Sequence, residues 1–225
     1  MKQIKVIGIG GIGTALLPFL CRYLNYREEE VYIVTLIDGD TFETSNKPRQ
    51  SFKELGNKAE VTKEALEKDF EYVAFKHIPK YFSKDNAEMI KEGDVVFLGV
   101  DNHKTRKEVS DHCQTLDNIV LISGGNELTD GNVYVYIKKG GKEITAPMTK
   151  YHREIREPQD KNPKELSCAE KAALPSGKQV LVTNMGVAWL MFVALWLLDE
   201  KGDEGFGEFY LDIVEGAVNK IERNA

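Results

Sequence analysis

The sequence predicts an α/β domain: a mostly parallel sheet flanked by helices, with a mixed C-terminal extension of the sheet. Two observations predict it. Through the first half, short β-branched runs alternate with helical stretches, the pattern of parallel strands joined by crossover helices. After a polar, proline-containing connection come one long apolar helix and one more strand candidate. The 225 residues are 42% hydrophobic, enough for one well-buried core, so we expect a single domain over 1–225.

The elements follow in order. Ile4–Ile7 reads as a buried strand, and Gly13–Leu24 as a helix with Ala15, Leu16, Phe19 and Leu20 on its apolar face. Val31–Ile37 is strand-like and ends at Asp38. The polar loop Gly39–Phe52 follows, with Asn46 and Pro48 as breakers. Asn57–Phe70 has helical composition, Tyr72–Phe75 resembles a short strand, and Ser83–Lys91 a short helix with Ser83 as N-cap. Val95–Val100 is a buried strand ending at Asp101, and His103–Leu116 a helix. Ile119–Ser123 and Val133–Ile137 are strands around a glycine-rich turn, closing a nucleotide-binding half over 1–138. The polar stretch from Lys139, with prolines at 147, 158, 163 and 175, predicts a mobile crossover connection over 139–179. The last part, 180–225, holds the apolar helix Val180–Leu198, a strand candidate Glu208–Val214 and a short polar tail.

Charge and cysteine content narrow the partners. The net charge of −6 disfavours a nucleic-acid surface. Cys21, Cys113 and Cys168 form no CxxC pair, so neither a zinc site nor a disulfide framework is expected; a reducing cytoplasm fits. No basic segment followed by an apolar stretch opens the chain, which argues against a signal peptide. The uninterrupted apolar part of the late helix, Met185–Leu198, is shorter than the roughly 20 residues a bilayer needs. We expect no membrane partner; the helix is buried in the core or between subunits.

Gly8-Ile9-Gly10-Gly11-Ile12-Gly13 lies between the first strand and the first helix. Without side chains there, the backbone can turn tightly and approach a phosphate, while the helix offers free N–H groups and the positive end of its dipole. Asp38, closing the second strand, is placed to accept hydrogen bonds from ribose hydroxyls. These features predict a Rossmann-like nucleotide site and leave a nicotinamide-dependent oxidoreductase open. No His, Tyr or Lys set marks hydride transfer, however, and the four histidines are scattered. The string from Asp38 to Gln50 adds Asp40, Asn46, Arg49 and Gln50, and Lys58 follows Gly56. Arg49 and Lys58 would stabilise charge on a triphosphate under attack, or are solvated charges. Asp101-Asn102 ends the strand at the ligand-binding edge; Asp101 could hold Mg²⁺, or the pair could cap the next helix.

Together these strings resemble the ThiF/MoeB/HesA family, the adenylating domain shared with ubiquitin-activating enzymes. The resemblance rests on Gly8–Gly13, Asp38-x-Asp40, Glu43-x-Ser45-Asn46-x-x-Arg49-Gln50, Gly56-x-Lys58-Ala59-Glu60, Asp101-Asn102 with Arg106, and Ser167-Cys168-Ala169-Glu170. It implies an adenylyltransferase that uses ATP and Mg²⁺ on the C-terminal glycine carboxylate of a small ubiquitin-like or sulfur-carrier protein ending in Gly-Gly. It implies that Gly8, Gly10, Gly11, Gly13, Asp38, Asp40, Asn46, Arg49, Gln50, Lys58, Asp101 and Asn102 hold the nucleotide. Arg49, Lys58 and Asp101 would be catalytic, with Asp101 the Mg²⁺ carboxylate. Cys168 falls where some relatives take up the activated carrier and others retain a cysteine without that role. A homodimer through the apolar helices is also implied.

Where the pattern departs, other expectations follow. Bacterial relatives usually carry two zinc-binding CxxC pairs that this chain lacks. Many donate an arginine from a helix preceding the first strand; here that strand begins by Ile4, so either another residue replaces it, with Arg153 and Arg156 of the polar connection as candidates, or activity is weak or depends on a partner. The alternatives are a non-catalytic nucleotide-binding subunit of a heterodimeric activating complex and, further off, the oxidoreductase.

Overall fold

The structure is a computed structural model that describes residues 2–27, 30–48, 50–166 and 180–225. Its elements, in chain order, are β1 (Lys2–Ile7), α1 (Gly11–Asn25), β2 (Tyr32–Ile37), β3 (Thr41–Phe42), β4 (Gly56–Asn57), α2 (Lys58–Asp69) and β5 (Val73–Ile78). Then come β6 (Val95–Leu98), α3 (His103–Thr115), β7 (Ile119–Asn126), β8 (Asp130–Lys139), β9 (Lys142–Glu143), α4 (Met148–Tyr151) and α5 (Arg153–Arg156). The chain closes with α6 (Leu181–Glu200), β10 (Glu208–Asp212) and β11 (Ala217–Ile221).

The main sheet runs β11-β10-β8-β7-β6-β1-β2-β5, with β9 on β8. Strands β5, β2, β1, β6 and β7 are parallel, while β8, β10 and β11 extend the sheet antiparallel. The expected parallel sheet with a mixed C-terminal extension is what forms. β1 is central: the chain leaves it toward β2 on one side and returns to β6 on the other. That reversal opens a crevice beyond the carboxyl ends of β1 and β6, the usual ligand position in an open α/β sheet.

Two apolar layers hold the sheet. On one face α1, α2 and α6 bury Leu16, Leu20, Val34, Phe97, Val187 and Met191 in one cluster. On the other, α3 to α5 cover Val96, Leu98, Val109, Tyr136, Met148 and Ile155. Burying each such side chain contributes roughly 1.5–3 kcal/mol. Cys21 and Cys113 are fully buried in these layers as packing residues, and burial pushes the Cys113 thiol up to about 12.

Three local expectations are corrected, and a fourth holds: the short helix expected at Ser83–Lys91 forms as a 3-10 helix over Lys84–Met89 with Ser83 as its N-cap, Asn86 Oδ1 accepting the Ser83 N–H at 2.8 Å. The local Asn86–Ser83 bond competes with a regular α-turn there. The polar tail contains β11, an exposed edge strand whose polar residues hide the apolar alternation. The connection after Lys139 contains α4 and α5, and Ile155 and Asn162 are buried. Asn162 Nδ2 donates to Phe82 O and Glu108 Oε2, both at 2.8 Å, fastening that connection to the body. Finally, β3 forms inside the polar loop Gly39–Phe52 and pairs with β4 just beyond it, fixing the approach to α2.

α6 is long and apolar enough, by length and composition, to cross a membrane. It packs on α1, β7 and β8, and Val187, Ala188, Leu190, Met191, Ala194 and Leu195 are buried. Its other side is open: Phe19 of α1 is 62% exposed and Trp189 55%. A groove of about 490 Å³ lined by Leu16, Phe19, Trp189, Phe192 and Trp196 runs between the two helices.

Candidate functional site

The crevice is built first from backbone. Gly8 adopts φ +90°, a left-handed conformation that favours glycine, and a Cβ there would lie 2.9 Å from the Gly99 carbonyl carbon. A Cβ on Gly13 would stand 2.2 Å from Gly8 O. The glycines therefore let β1, the start of α1 and the end of β6 close on one another. α1 starts with Gly10 as N-cap, without a side-chain cap and without an acidic residue in its first turn. Backbone N–H groups of its first turn, left without intrahelical partners, face the crevice with the positive end of the dipole.

Asp38 closes β2 and is buried. Its Oδ2 accepts the Ile9 N–H at 2.6 Å and its Oδ1 the Asp40 N–H at 2.7 Å, so it ties the end of β2 to the glycine turn. Burial, opposed by the nearby Lys58 charge and these N–H bonds, holds its carboxyl above the usual carboxylate range. Lys58 is the first residue of α2. Asn57 Oδ1 caps that helix by accepting the Ala59 and Glu60 N–H groups at 3.0 and 3.1 Å. The buried Lys58 side chain points back to the strand ends, where its Nζ donates to Asp40 Oδ2 at 3.2 Å. The Tyr81 hydroxyl donates to Asp40 Oδ1. The Tyr81 ring lies over Gly39, where a Cβ would be 2.7 Å away. Asp40, Asp38 and Asp101 all push the Tyr81 hydroxyl up, on top of its burial. Asp38, Asp40, Lys58, Tyr81 and Asp101 thus share one edge with the glycine turn.

Other expected site residues stand differently. Asn46 Oδ1 accepts the Glu43 N–H at 2.9 Å within its own 3-10 turn over Thr44–Asn46. Gln50 reaches toward Gly10, with its Nε2 4.0 Å from where a Cβ would be, and its buried Oε1 has no partner among the described residues. Asn102 is the N-cap of α3, its Oδ1 accepting the Thr105 N–H at 2.8 Å. Of the two roles open for Asp101-Asn102, capping thus falls to Asn102, and Asp101 stays exposed. Arg106 is buried, with Nε and Nη2 donating to Val100 O and Nη2 also to Gly124 O at 2.9 Å, so it ties β6 to β7. Arg153 and Arg156 both pair with Glu157. Arg49 and Cys168 lie outside the described residues.

Three contributors escaped the sequence reading. Tyr81 sits just beyond β5, at the ligand edge of a parallel strand, and that position is the signal that could have found it. Asp160 accepts the His103 N–H at 2.7 Å and the Lys104 N–H at 2.9 Å; nothing local marks it. Asn184 of α6 abuts Gly11, with Nδ2 2.1 Å from a Cβ placed there.

These features define the class of protein: a Rossmann-type domain whose topological switch point carries an uncapped helix start, a strand-end carboxylate and an inward lysine. The chain belongs to the ThiF family, whose sequence profile matches residues 1–201. SUMO-activating enzyme subunit 2 of Dictyostelium discoideum is 32% identical over 147 residues, covering 63% of this chain and 21% of that one. Among solved structures, E. coli MccB with ATP superposes with TM-score 0.74 at 18% identity, over 99% of this chain and 64% of that one. PaaA superposes with TM-score 0.71 at 18% identity, over 100% of this chain and 65% of that one. The chain spans about a fifth of the length of the curated relative and under two thirds of these structures. At such identities the structural likeness shows the fold.

Proposed function

We propose that this chain binds MgATP at the glycine turn and adenylates the C-terminal carboxylate of a small ubiquitin-like or sulfur-carrier protein, or of a peptide. The observation that carries this is the uncapped start of α1, set beside Lys58 and the strand-end carboxylates. Relatives support it: one solved relative is MccB with ATP, and another is MccB with MccA.

In this reaction a carboxylate oxygen of the carrier attacks the α-phosphorus. An acyl–phosphate bond forms, the α–β bridging P–O bond breaks, and pyrophosphate leaves. The protein's part is positioning and charge neutralisation. The first-turn N–H groups of α1 hold phosphate oxygens, and Asp38 faces the ribose. Lys58, released from Asp40, and Arg49 stabilise charge that develops on the phosphates. Asp101 is an oxygen donor at the crevice; Mg²⁺ typically takes one or two protein carboxylates and fills its shell with phosphate oxygens and water.

Cys168 is proposed to take up the activated carrier by thiolate attack on the acyl-adenylate, displacing AMP. A second copy of the chain is proposed to cover the α1–α6 groove, because Phe19, Met185, Trp189 and Trp196 together expose more apolar surface than a single helix face usually leaves to water.

Pyrophosphate–ATP exchange with a candidate carrier tests this. Exchange present in the wild type and lost in Asp101→Ala and Arg49→Ala supports the assignment; exchange that survives both changes overturns it. MgATP binding without exchange would favour a non-catalytic subunit. Thermal stabilisation by NAD⁺ and none by MgATP would sink the nucleotide assignment. Cys168→Ser is expected to block transfer and spare exchange.

A further inference from the structure

One side chain beside the glycine turn has no role in the scheme above. Asn184, in the first turn of α6, is 0% exposed, and among the described residues neither its Oδ1 nor its Nδ2 has a hydrogen-bond partner. It is the one side chain among the described residues with two such atoms. Buried amides are almost always satisfied, and an exception calls for a specific reason such as a functional constraint.

Its surroundings supply that reason. Asn184 points at the open end of α1: a Cβ on Gly11 would come 2.1 Å from its Nδ2 and 2.7 Å from its Cγ. Any residue but glycine at 11 would displace the amide. On the neighbouring glycine, Gln50 supplies the nearest side-chain atom, and its Oε1 is likewise buried without a partner. Two amides from separate elements therefore flank Gly10 and Gly11. α6 is fixed at this height, because Thr183 Oγ1 donates to Leu128 O at 2.8 Å and Val187 packs against Gly124 and Gly131. Asn184 cannot easily move to find another partner.

We propose that Asn184 is a positioning residue for polyphosphate, resting on the MgATP assignment above. It remains a carboxamide at the expense of stability so that its amide can hydrogen-bond the Gly10–Gly11 backbone in the conformation that holds phosphate. An uncharged amide suits the place, since it both donates and accepts and adds no charge beside the triphosphate. Its effect is confined to the phosphate end of the nucleotide.

The test uses the full chain carrying Asn184→Leu, with Asn184→Ala as a second variant. Urea unfolding without ligand is measured alongside titrations with MgATP and with adenosine. The expected result is a variant at least as stable as the wild type that binds MgATP about tenfold or more weakly, the usual effect of losing preorganisation at a charged ligand. Adenosine affinity stays unchanged. MgATP affinity unchanged in a folded variant overturns the proposal, as does an equal loss for adenosine. If neither variant folds, the amide serves the core and the proposal also fails. A wild-type chain that binds no MgATP overturns the nucleotide assignment with it, which separates that failure from failure at Asn184 alone.

Discussion

Two helices begin at the carboxyl edge of the sheet, α1 after β1 and α3 after β6, and their first turns are furnished in opposite ways. Each start leaves backbone N–H groups without intrahelical partners. At α3 the protein fills them itself: Asn102 takes the Thr105 N–H, and Asp160 takes those of His103 and Lys104. At α1 no described residue caps them with a side chain, and Gly10 stands at the N-cap. The chemistry of the two starts is the same; one is sealed, and we propose that the other is left for a ligand. Asp160 at α3 even shows what a good occupant looks like, a carboxylate spanning two adjacent N–H groups.

Substitutions can break or sharpen this contrast. The largest effect is expected from Gly13→Ala, whose methyl would meet Gly8 O at 2.2 Å. We expect a loss of about 3 kcal/mol in denaturant unfolding, as for other overpacked sites, together with loss of MgATP binding. Next is Lys58→Ala, which removes a cation from the open side. It should weaken MgATP roughly ten- to a hundredfold in calorimetric titration, the cost of losing a hydrogen bond to a charged group. Stability should move by less than about 1 kcal/mol, since its partner Asp40 is half exposed.

On the sealed side, effects should appear in stability alone. Asn102→Ala is expected to cost about 1 kcal/mol, an ordinary N-cap loss, with MgATP affinity unchanged. Weaker MgATP binding in that variant would instead return Asn102 to the nucleotide site. Asp160→Ala should cost about 0.5 kcal/mol in thermal unfolding, from the lost charge at the helix dipole, and less at high salt.

The open side was largely legible in the sequence. Gly8–Gly13 follows a β-branched strand and opens a helix, and Asp38 closes the next strand, so local pattern and topology together place both. The sealed side was not. Asp101-Asn102 reads equally well as ligand site or cap, and only the 2.8 Å bond to Thr105 decides for Asn102. Asp160 and Asn162 act across the fold, on α3 and on Phe82, so no window of sequence carries their role. β11 was hidden because an edge strand needs few apolar residues. Tyr81 and Asn184 join the site through Gly39 and Gly11, where the absence of a side chain makes room for them.

The most direct test of the open end is a ¹⁵N–¹H titration of the wild-type chain with MgATP. The amide resonances of Gly10, Gly11, Ile12 and Gly13 should shift in proportion to occupancy, while those of His103 and Lys104, already bonded to Asp160, hold still. Shifts confined to His103 and Lys104, or none at Gly10 to Gly13 at saturating MgATP, would contradict the assignment of α1 as the phosphate site.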